Sequence, residues 1–473
     1  MTYSYSFSDD LQQEWQWAER FTRQPEILRY AGHVADRFDL RRDIRFGTRV
    51  TSARFDQRNS RWRVATDRGD ALDARFLIMA TGCLSLPRVP DFPGVDDFEG
   101  DWYHTGAWPH RDVDFGGMRV GVIGTGSTAV QAIPRVAEHA EHLTVFQRTP
   151  NFAVPAWNGP LDSEVERDRK ENYAAYRAKA RVSFGGDVFD ANDASALELD
   201  ESEVFAELER RWSVGGFALL TAFSDILTDE RANEFAAEFV RRKIRERVDD
   251  PDIAELLCPD DHPIGTKRLC VDSNYYETYN RDNVTLVDVR QSPIKELFAT
   301  GLRTAASEYD LDTIVFATGF DAMTGALLEI DIVGRDDVAL SDCWADGPRT
   351  YLGLSVAGFP NMFTITGPGS PSVLSNVLRS IEHHVDWITD CITFIKNSEC
   401  SEIEANFTAE DEWTQHVEDV AKDTLRYKCD SWYVGANIPG KKRVFLPYSG
   451  GLPVYREKCQ DVVSKGYEGF VVS

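Results

Sequence analysis

The 473-residue sequence has no apolar run long enough to cross a membrane, and Met1 to Ser8 carry neither the basic nor the apolar stretch of a secretion signal. Those absences point to a cytoplasmic protein. No Cys-x-x-Cys pair occurs: the eight cysteines, at 83, 258, 270, 343, 391, 400, 429 and 459, are scattered, with no Cys/His cluster. Neither a disulfide framework nor a metal site is expected from that spacing. Basic charge is also scarce, with 52 Lys and Arg against 78 Asp and Glu, a formal charge of −26. Such a surface repels nucleic acid and anionic membranes, so neither is an expected partner. An anionic cofactor would need local positive charge and backbone N–H groups to hold it. Solenoid repeats and low-complexity segments are absent too. What is there, 42% hydrophobic and 11% aromatic residues, describes a soluble globular protein with room for two or three domains.

Ile27, Ala31, Val34 and Phe38 have the spacing of one helical face over residues 24–38. Short strands are expected at 44–46, 50–55 and 62–66, followed by a buried strand that runs into Ala80-Thr81-Gly82. The same ending recurs at Ala317-Thr318-Gly319, a pattern typical of the paired nucleotide domains of flavin disulfide-reductase-like folds. Residues 151–262 are charged and rich in helix formers, which reads as a helical insertion. Strands resume at 283–288, 312–317 and 361–366, and the turn Gly367-Pro368-Gly369-Ser370-Pro371 leads into a helix over 373–395. The expected class is α/β, with two Rossmann-like dinucleotide-binding domains. One comprises 1–82 with 318–473; the other is 83–317, carrying the insertion.

Two signals lie between Phe98 and Ala129. The first is Phe98-x-Gly100-x-x-x-His104-x-x-x-Trp108-Pro109. The second, Gly124-Thr125-Gly126-Ser127-Thr128-Ala129, sits between an apolar strand (119–123) and an expected helix. Gly124 permits the tight bend, Gly126 lets backbone approach a pyrophosphate, and Ala129 lets helix lie close on strand. The next strand, 142–146, ends in Gln147-Arg148-Thr149. An NAD site would place a carboxylate there, whereas a guanidinium beside a hydroxyl suits a 2′-phosphate, so NADPH is expected. Lys267-Arg268 reads from spacing alone as surface charge. His383-His384 reads as packing or surface histidines, and Ser370 and Ser372 form no nucleophile elbow.

The Phe98–Pro109 pattern resembles the fingerprint of the type I Baeyer–Villiger monooxygenases, with the phenylacetone-, cyclohexanone- and steroid-oxidising members as the nearest likeness. The likeness extends through Gln24-Pro-Glu-Ile-Leu28, Asn274-Tyr-Tyr-Glu-Thr278, Ala317–Asp321, Gly367–Pro371, Ser431-Trp-Tyr-Val-Gly-Ala-Asn437 and Lys465–Phe470. It implies an FAD- and NADPH-dependent enzyme that converts a ketone and O2 to an ester or lactone, with the domain of 1–82 and 318–473 holding FAD. By resemblance, Arg268 is the active-site arginine, and Lys267, Arg148 and Thr149 hold the 2′-phosphate. Gly124, Thr125, Gly126, Ser127, Thr128, Ala129, Val130 and Gln131 line the pyrophosphate. Phe98, Gly100, His104, Trp108 and Pro109 form the linker that couples the domains. Trp432 belongs to a mobile loop, Tyr3, Val50 and Val377 lie near the flavin, and Ser372, Val373 and Leu374 line the substrate pocket. The family also opens with a GxGxxG turn for FAD and an aspartate that pairs with the arginine. No GxGxxG occurs between Met1 and Gly82, so the expectation is a chain shortened at its N-terminus. Two other readings stay open: a non-flavin, NADPH-binding or partner-dependent protein, and a heteroatom-oxidising flavin monooxygenase. Substrate identity and oligomeric state are not encoded legibly.

Overall fold

The computed structural model describes residues 3–473; Met1 and Thr2 lie outside them. In chain order the elements that organise the molecule are β1 (Val50–Asp56), β2 (Arg61–Thr66), β3 (Ala71–Ala74), β4 (Leu77–Met79), β5 (Asp101–His104), β6 (Arg119–Ile123), α1 (Ser127–Ala137), β7 (His142–Gln147), β8 (Val284–Asp288), β9 (Thr313–Phe316), β10 (Asp331–Val333), β11 (Met362–Thr364) and α2 (Val377–Asn397). Strands β8-β7-β6-β9-β5 form a five-stranded sheet in which every pairing is parallel. Both faces of such a sheet must be covered, which is why β6 and β7 read as continuous apolar runs. Val120, Val122, Leu143 and Val145 are fully buried, and Ala129, Val130 and Ile133 of α1 close over them. Burying each of these larger side chains is worth about 1.5–3 kcal/mol.

Between β7 and β8 the chain leaves the sheet for the helices Ser163–Glu171, Tyr173–Val182, Glu201–Val214, Glu230–Arg247 and Pro251–Leu257. A parallel pair, Ala153–Pro155 with Cys270–Asp272, closes the base of this excursion. The helices owe their ends to local caps: Asp162, Asp229 and Asp250 each accept from backbone N–H groups one turn in, and Asp200 with Glu203 makes a reciprocal capping box.

The other sheets include β10-β1-β2-β3, the parallel pair β11-β4, a three-stranded antiparallel sheet (Ile294–Phe298, Gly301–Thr304, Glu308–Asp310) and the antiparallel pair Ile403–Ala405 with Phe470–Val472. The expected strand at 44–46 does not form. Ile44 and Phe46 are 47% and 57% exposed in the turn after a short 3-10 segment, and no neighbouring strand offers them a ladder. The helix expected over 373–395 is split: Ser372–Leu374 is a 3-10 turn, and α2 starts afresh at Val377, capped by the Asn376 side chain on Leu378 N. Among the described residues β4 pairs on one side only, through β11. Its Ile78 and the following Leu84 are 44% and 43% exposed, so this edge presents apolar side chains beside unpaired backbone.

His384 on α2 is a structural histidine. Its Nδ1 accepts from Thr366 N–H (2.9 Å), which leaves the proton on Nε2 to donate to the Tyr455 hydroxyl (2.9 Å). Burial pushes its pKa down to about 3. The unfolded chain takes up this proton near pH 6.5 and the fold refuses it, so acid favours unfolding from about pH 6.5 down to about 3. Scanning Tm against pH should show that His384→Gln, though less stable at pH 7, loses about 1 kcal/mol less per pH unit between 6 and 4.5. Parallel pH curves for the two proteins would contradict the assignment.

Candidate active site

The sequence around Gly124 folds as a strand-turn-helix because two of its residues have no room for alternatives. Gly124 has φ +110°, and a Cβ there would meet the Ala317 carbonyl oxygen at 2.6 Å. The turn is thereby pressed against the end of β9. Thr125, buried, donates from Oγ1 to the Thr149 carbonyl (2.8 Å), and Asn151 donates to the Thr125 carbonyl (2.9 Å). These bonds tie the turn to the chain leaving β7. Gly126 differs: a Cβ would meet no atom within 4 Å. The backbone faces open space at the N-terminus of the 11-residue helix α1, where free N–H groups and the helix dipole attract an anion. Ser127 and Thr128 border that space, whereas Ala129 and Val130 turn inward. Gln131 is exposed but bonds back to the Ser127 carbonyl (2.9 Å).

Arg148 follows β7 and is exposed. A second guanidinium that the sequence did not single out, Arg88, stands close enough for Arg148 to disfavour its charge, adding to the larger effect of burial. Among the described residues Arg88, Arg148, Lys267 and Arg268 make no ion pair, in a chain with 78 acidic residues. Four cations without an ion-pair partner stay available to an anionic ligand.

Arg268 lies on the connection into the strand Cys270–Asp272, half-buried. Its Nη1 donates to the Val373 carbonyl (3.0 Å), and its guanidinium covers the Phe217 ring at 4.6 Å. The buried Tyr433 hydroxyl hydrogen-bonds to it as well. Val373 belongs to an apolar cluster with Cys83, Met323, Tyr433 and Val434, against which Leu374 and Trp432 pack. Ser372 sits at its edge with φ +42°, its hydroxyl directed at the sulfurs of Cys83 and Met323 (3.4 and 3.5 Å). The site is therefore an apolar wall with a fixed positive charge, and a second buried cation, Arg426, lies within electrostatic reach of Tyr433 and Arg268. Trp432 reaches it through ring contact with Tyr433 (4.3 Å).

The fingerprint residues sit where the chain passes between sheets. A Cβ at Gly100 would collide with the Asp312 carbonyl (2.4 Å) and the Phe98 ring, so only glycine lets β5 approach β9. His104 ends β5 opposite Phe316; its Nδ1 accepts from Gly106 N–H (3.0 Å), and Nε2 faces the Thr318 hydroxyl (3.3 Å). Thr318 in turn donates to the Arg88 carbonyl (2.5 Å), and Arg88 N–H donates to the Gly319 carbonyl (3.0 Å). Two passages of chain, around 86–88 and 318–321, thus run paired. Trp108 packs on Tyr103 and Phe115, and Pro109 follows at the surface. The loop after Trp432 is tied to the same passages: Asn437 donates to the Phe320 carbonyl (2.8 Å), Arg88 to the Asn437 carbonyl, and Lys441 pairs with Asp321.

The three flavin-side candidates are not gathered in one contact group. Tyr3 packs edge-on to Trp17, Val50 opens β1 beside the Ala53–Trp62 core, and Val377 is half-exposed at the start of α2. Tyr3 is nonetheless within electrostatic reach of Arg268. Sequence reasoning missed Arg88, Phe217, Thr318 and Tyr433, because each acts through a partner distant in the chain. Only Tyr433, next to Trp432, and Thr318, inside Ala-Thr-Gly, carried any signal.

Comparison with known proteins fits this geometry. The family described as pyridine nucleotide-disulphide oxidoreductase matches residues 3–184. The chain is 42% identical to the 2-oxo-Δ3-4,5,5-trimethylcyclopentenylacetyl-CoA monooxygenase of Pseudomonas putida, over 99% of this chain and 88% of that protein. It is 40% identical to a Baeyer–Villiger monooxygenase of Pseudooceanicola batsensis, over 99% and 86%. A steroid monooxygenase solved in its oxidised state with NADP bound superposes with a TM-score of 0.95 at 52% identity, covering 100% of this chain and 89% of that one.

The two glycines separate binding from folding. Gly126→Val should leave Tm within about 1 °C yet weaken NADP+ binding by about tenfold or more, since its side chain enters only the open space over α1. Gly124→Val should lower Tm instead, because both its φ and the Ala317 carbonyl oppose it. Calorimetric titration beside thermal melts checks both; an unchanged NADP+ affinity in Gly126→Val would remove the site from this turn.

Proposed function

The chain belongs to the Baeyer–Villiger monooxygenases, and on that premise we propose that it converts a small ketone to the ester or lactone with O2, NADPH and FAD. One oxygen atom enters between the carbonyl carbon and its neighbour, and the other leaves as water with the two electrons of NADPH. The observation that carries the reading is Arg268: a cation without a carboxylate partner, bracketed by the Val373 carbonyl, the Phe217 ring and the Tyr433 hydroxyl on an apolar wall. A guanidinium stays protonated at any working pH, so it meets negative charge developing on oxygen without a proton transfer. Holding it rigid before the reaction means that little reorganisation is needed as the charge forms. The apolar residues beside it, Val373 and Leu374 with Ser372 at their margin, would take the ketone's carbon skeleton and exclude water.

NADPH fits the turn from Gly124 to Gln131. The open face of Gly126 would take the pyrophosphate, and Arg148, with Thr149 and Arg88 nearby, would take the 2′-phosphate, with Lys267 added on the strength of the family resemblance. FAD, when bound, supplies the activation of O2. Its pyrophosphate has no equivalent cradle among the described residues. The other glycine-bearing strand-to-helix connection is packed against protein, a Cβ at Gly367 or Gly369 meeting Thr364 and Thr350 hydroxyls at 2.4 and 2.9 Å. No residue is therefore assigned to that group. The division into a flavin unit of 1–82 and 318–473 and an NADPH unit of 83–317, and a place in the cytoplasm, belong to the same reading.

Incubating the full chain with FAD, NADPH, a cyclic ketone and 18O2 should place one labelled oxygen in the lactone ring, detected by mass spectrometry. Arg268→Met should cut lactone formation by about 100-fold or more while NADP+ affinity stays within about threefold. Labelled sulfoxide from an added sulfide with no labelled lactone would shift the assignment to heteroatom oxidation.

A further inference from the structure

Outside the site described above, a half-open cavity of about 60 Å³ lies between the helix Tyr173–Val182 and the start of α2. Arg169, Arg177, Arg379, Tyr173, Asp187 and Asn376 form most of its wall. Three arginines around one small space are unexpected in a chain of charge −26 and call for an explanation. Two of them hold buried donors that bond to nothing. Arg177 is 7% exposed; its Nε donates to Gln12 Oε1 (3.1 Å) and its Nη2 to the Ser4 and Tyr5 carbonyls (2.9 and 3.1 Å), whereas its Nη1 is buried without a partner. Arg379 pairs through Nη1 with Glu382 (3.1 Å), and its Nε is likewise buried and unpartnered. A charged N–H sealed from water with no acceptor costs several times what an ordinary hydrogen bond contributes. The arginines are themselves held in place, Arg177 over the Tyr173 ring (5.5 Å) and Arg169 over the Tyr176 ring (5.9 Å), so they cannot simply swing to solvent.

We propose that this cavity is a binding site for the carboxylate of a small organic acid, held between Arg177 Nη1 and Arg379 Nε with Arg169 completing the positive wall. The volume admits a few water molecules or one carboxylate with its attached carbon. A monoanion suits the site better than phosphate because Asp187 shares the wall, and a dianion would face that carboxyl at close range. Burial pushes the Asp187 pKa up, only partly opposed by the Asn376 amide (3.5 Å) and by Arg268. The groups whose charge bears on Asp187 are Arg268 and Tyr3, while the arginines 169, 177 and 379 with Tyr173 line the same cavity. The ligand class is set by this chemistry alone and does not rest on the oxygenation reading.

The test uses the full chain at pH 8, where phosphate is a dianion, and constant ionic strength, with acetate, its neutral isostere acetamide, and inorganic phosphate as probes. Tm and the 19F line width of trifluoroacetate, competed by acetate, report occupancy. Acetate should raise Tm in a saturable way and sharpen the fluorine line, acetamide should do neither, and phosphate should bind about tenfold more weakly. Arg379→Met and Arg169→Met should each lose about tenfold in acetate affinity. Arg177 anchors the Ser4–Tyr5 backbone, so its substitution is not used. Equal responses to acetate and phosphate, an acetate response that survives in both variants, or no response to acetate at all would overturn the site and leave ordered water as the partner of the orphaned donors.

Discussion

The bond from His104 to Thr318 is the contact on which the working half of the molecule depends. His104 Nδ1 accepts from Gly106 N–H, so its proton is on Nε2 and points at Thr318. Burial keeps the ring neutral by lowering its pKa, which preserves that donor–acceptor order. Thr318 then fixes Arg88, and the paired passages at 86–88 and 318–321 carry Asp321 and Phe320 to the loop of Trp432, Asn437 and Lys441. Tyr433 in that loop bonds to Arg268. A histidine at the end of one strand is thereby connected, bond by bond, to a charge on another part of the chain.

The same passages press on the Gly124 turn. Ala317, immediately before Thr318, supplies the carbonyl that closes on Gly124. The dinucleotide turn, the crossover and the arginine are consequently one packed unit, in which no member can shift without moving the next. The excess acidity of the chain sharpens the contrast: ion pairs are abundant on the surface, yet among the described residues Arg88, Arg148, Lys267 and Arg268 form none. Charges reserved in this way raise local affinity for phosphate and oxyanion against an unfavourable overall field.

Much of this was legible in the sequence, and the limits follow from range. The Gly124–Ala129 turn was readable because strand, bend and helix are adjacent and each glycine meets a local demand. Arg148 was singled out because strand-end chemistry depends on one position, and it stands exposed just after β7. Lys267 and Arg268 could not be told from surface charge by spacing; only resemblance raised them, and only contact with Val373, Phe217 and Tyr433 gives Arg268 a physical role. Those partners lie tens to hundreds of residues away, beyond any local pattern. The expected strand at 44–46 failed for a related reason: an apolar triplet needs a neighbouring strand, and none stands beside Ile44. The break before α2 was hidden because Ser372 adopts a positive φ that serine sequence does not announce.

Hydrogen exchange on His104→Leu tests the central connection most directly, since leucine fills the ring's volume without its two hydrogen bonds. The account predicts faster exchange at 86–88, 318–321 and 431–441 together, with the five-stranded sheet and α1 unchanged. Faster exchange confined to residues 104–106, with the Trp432 loop as protected as in the parent protein, would contradict it.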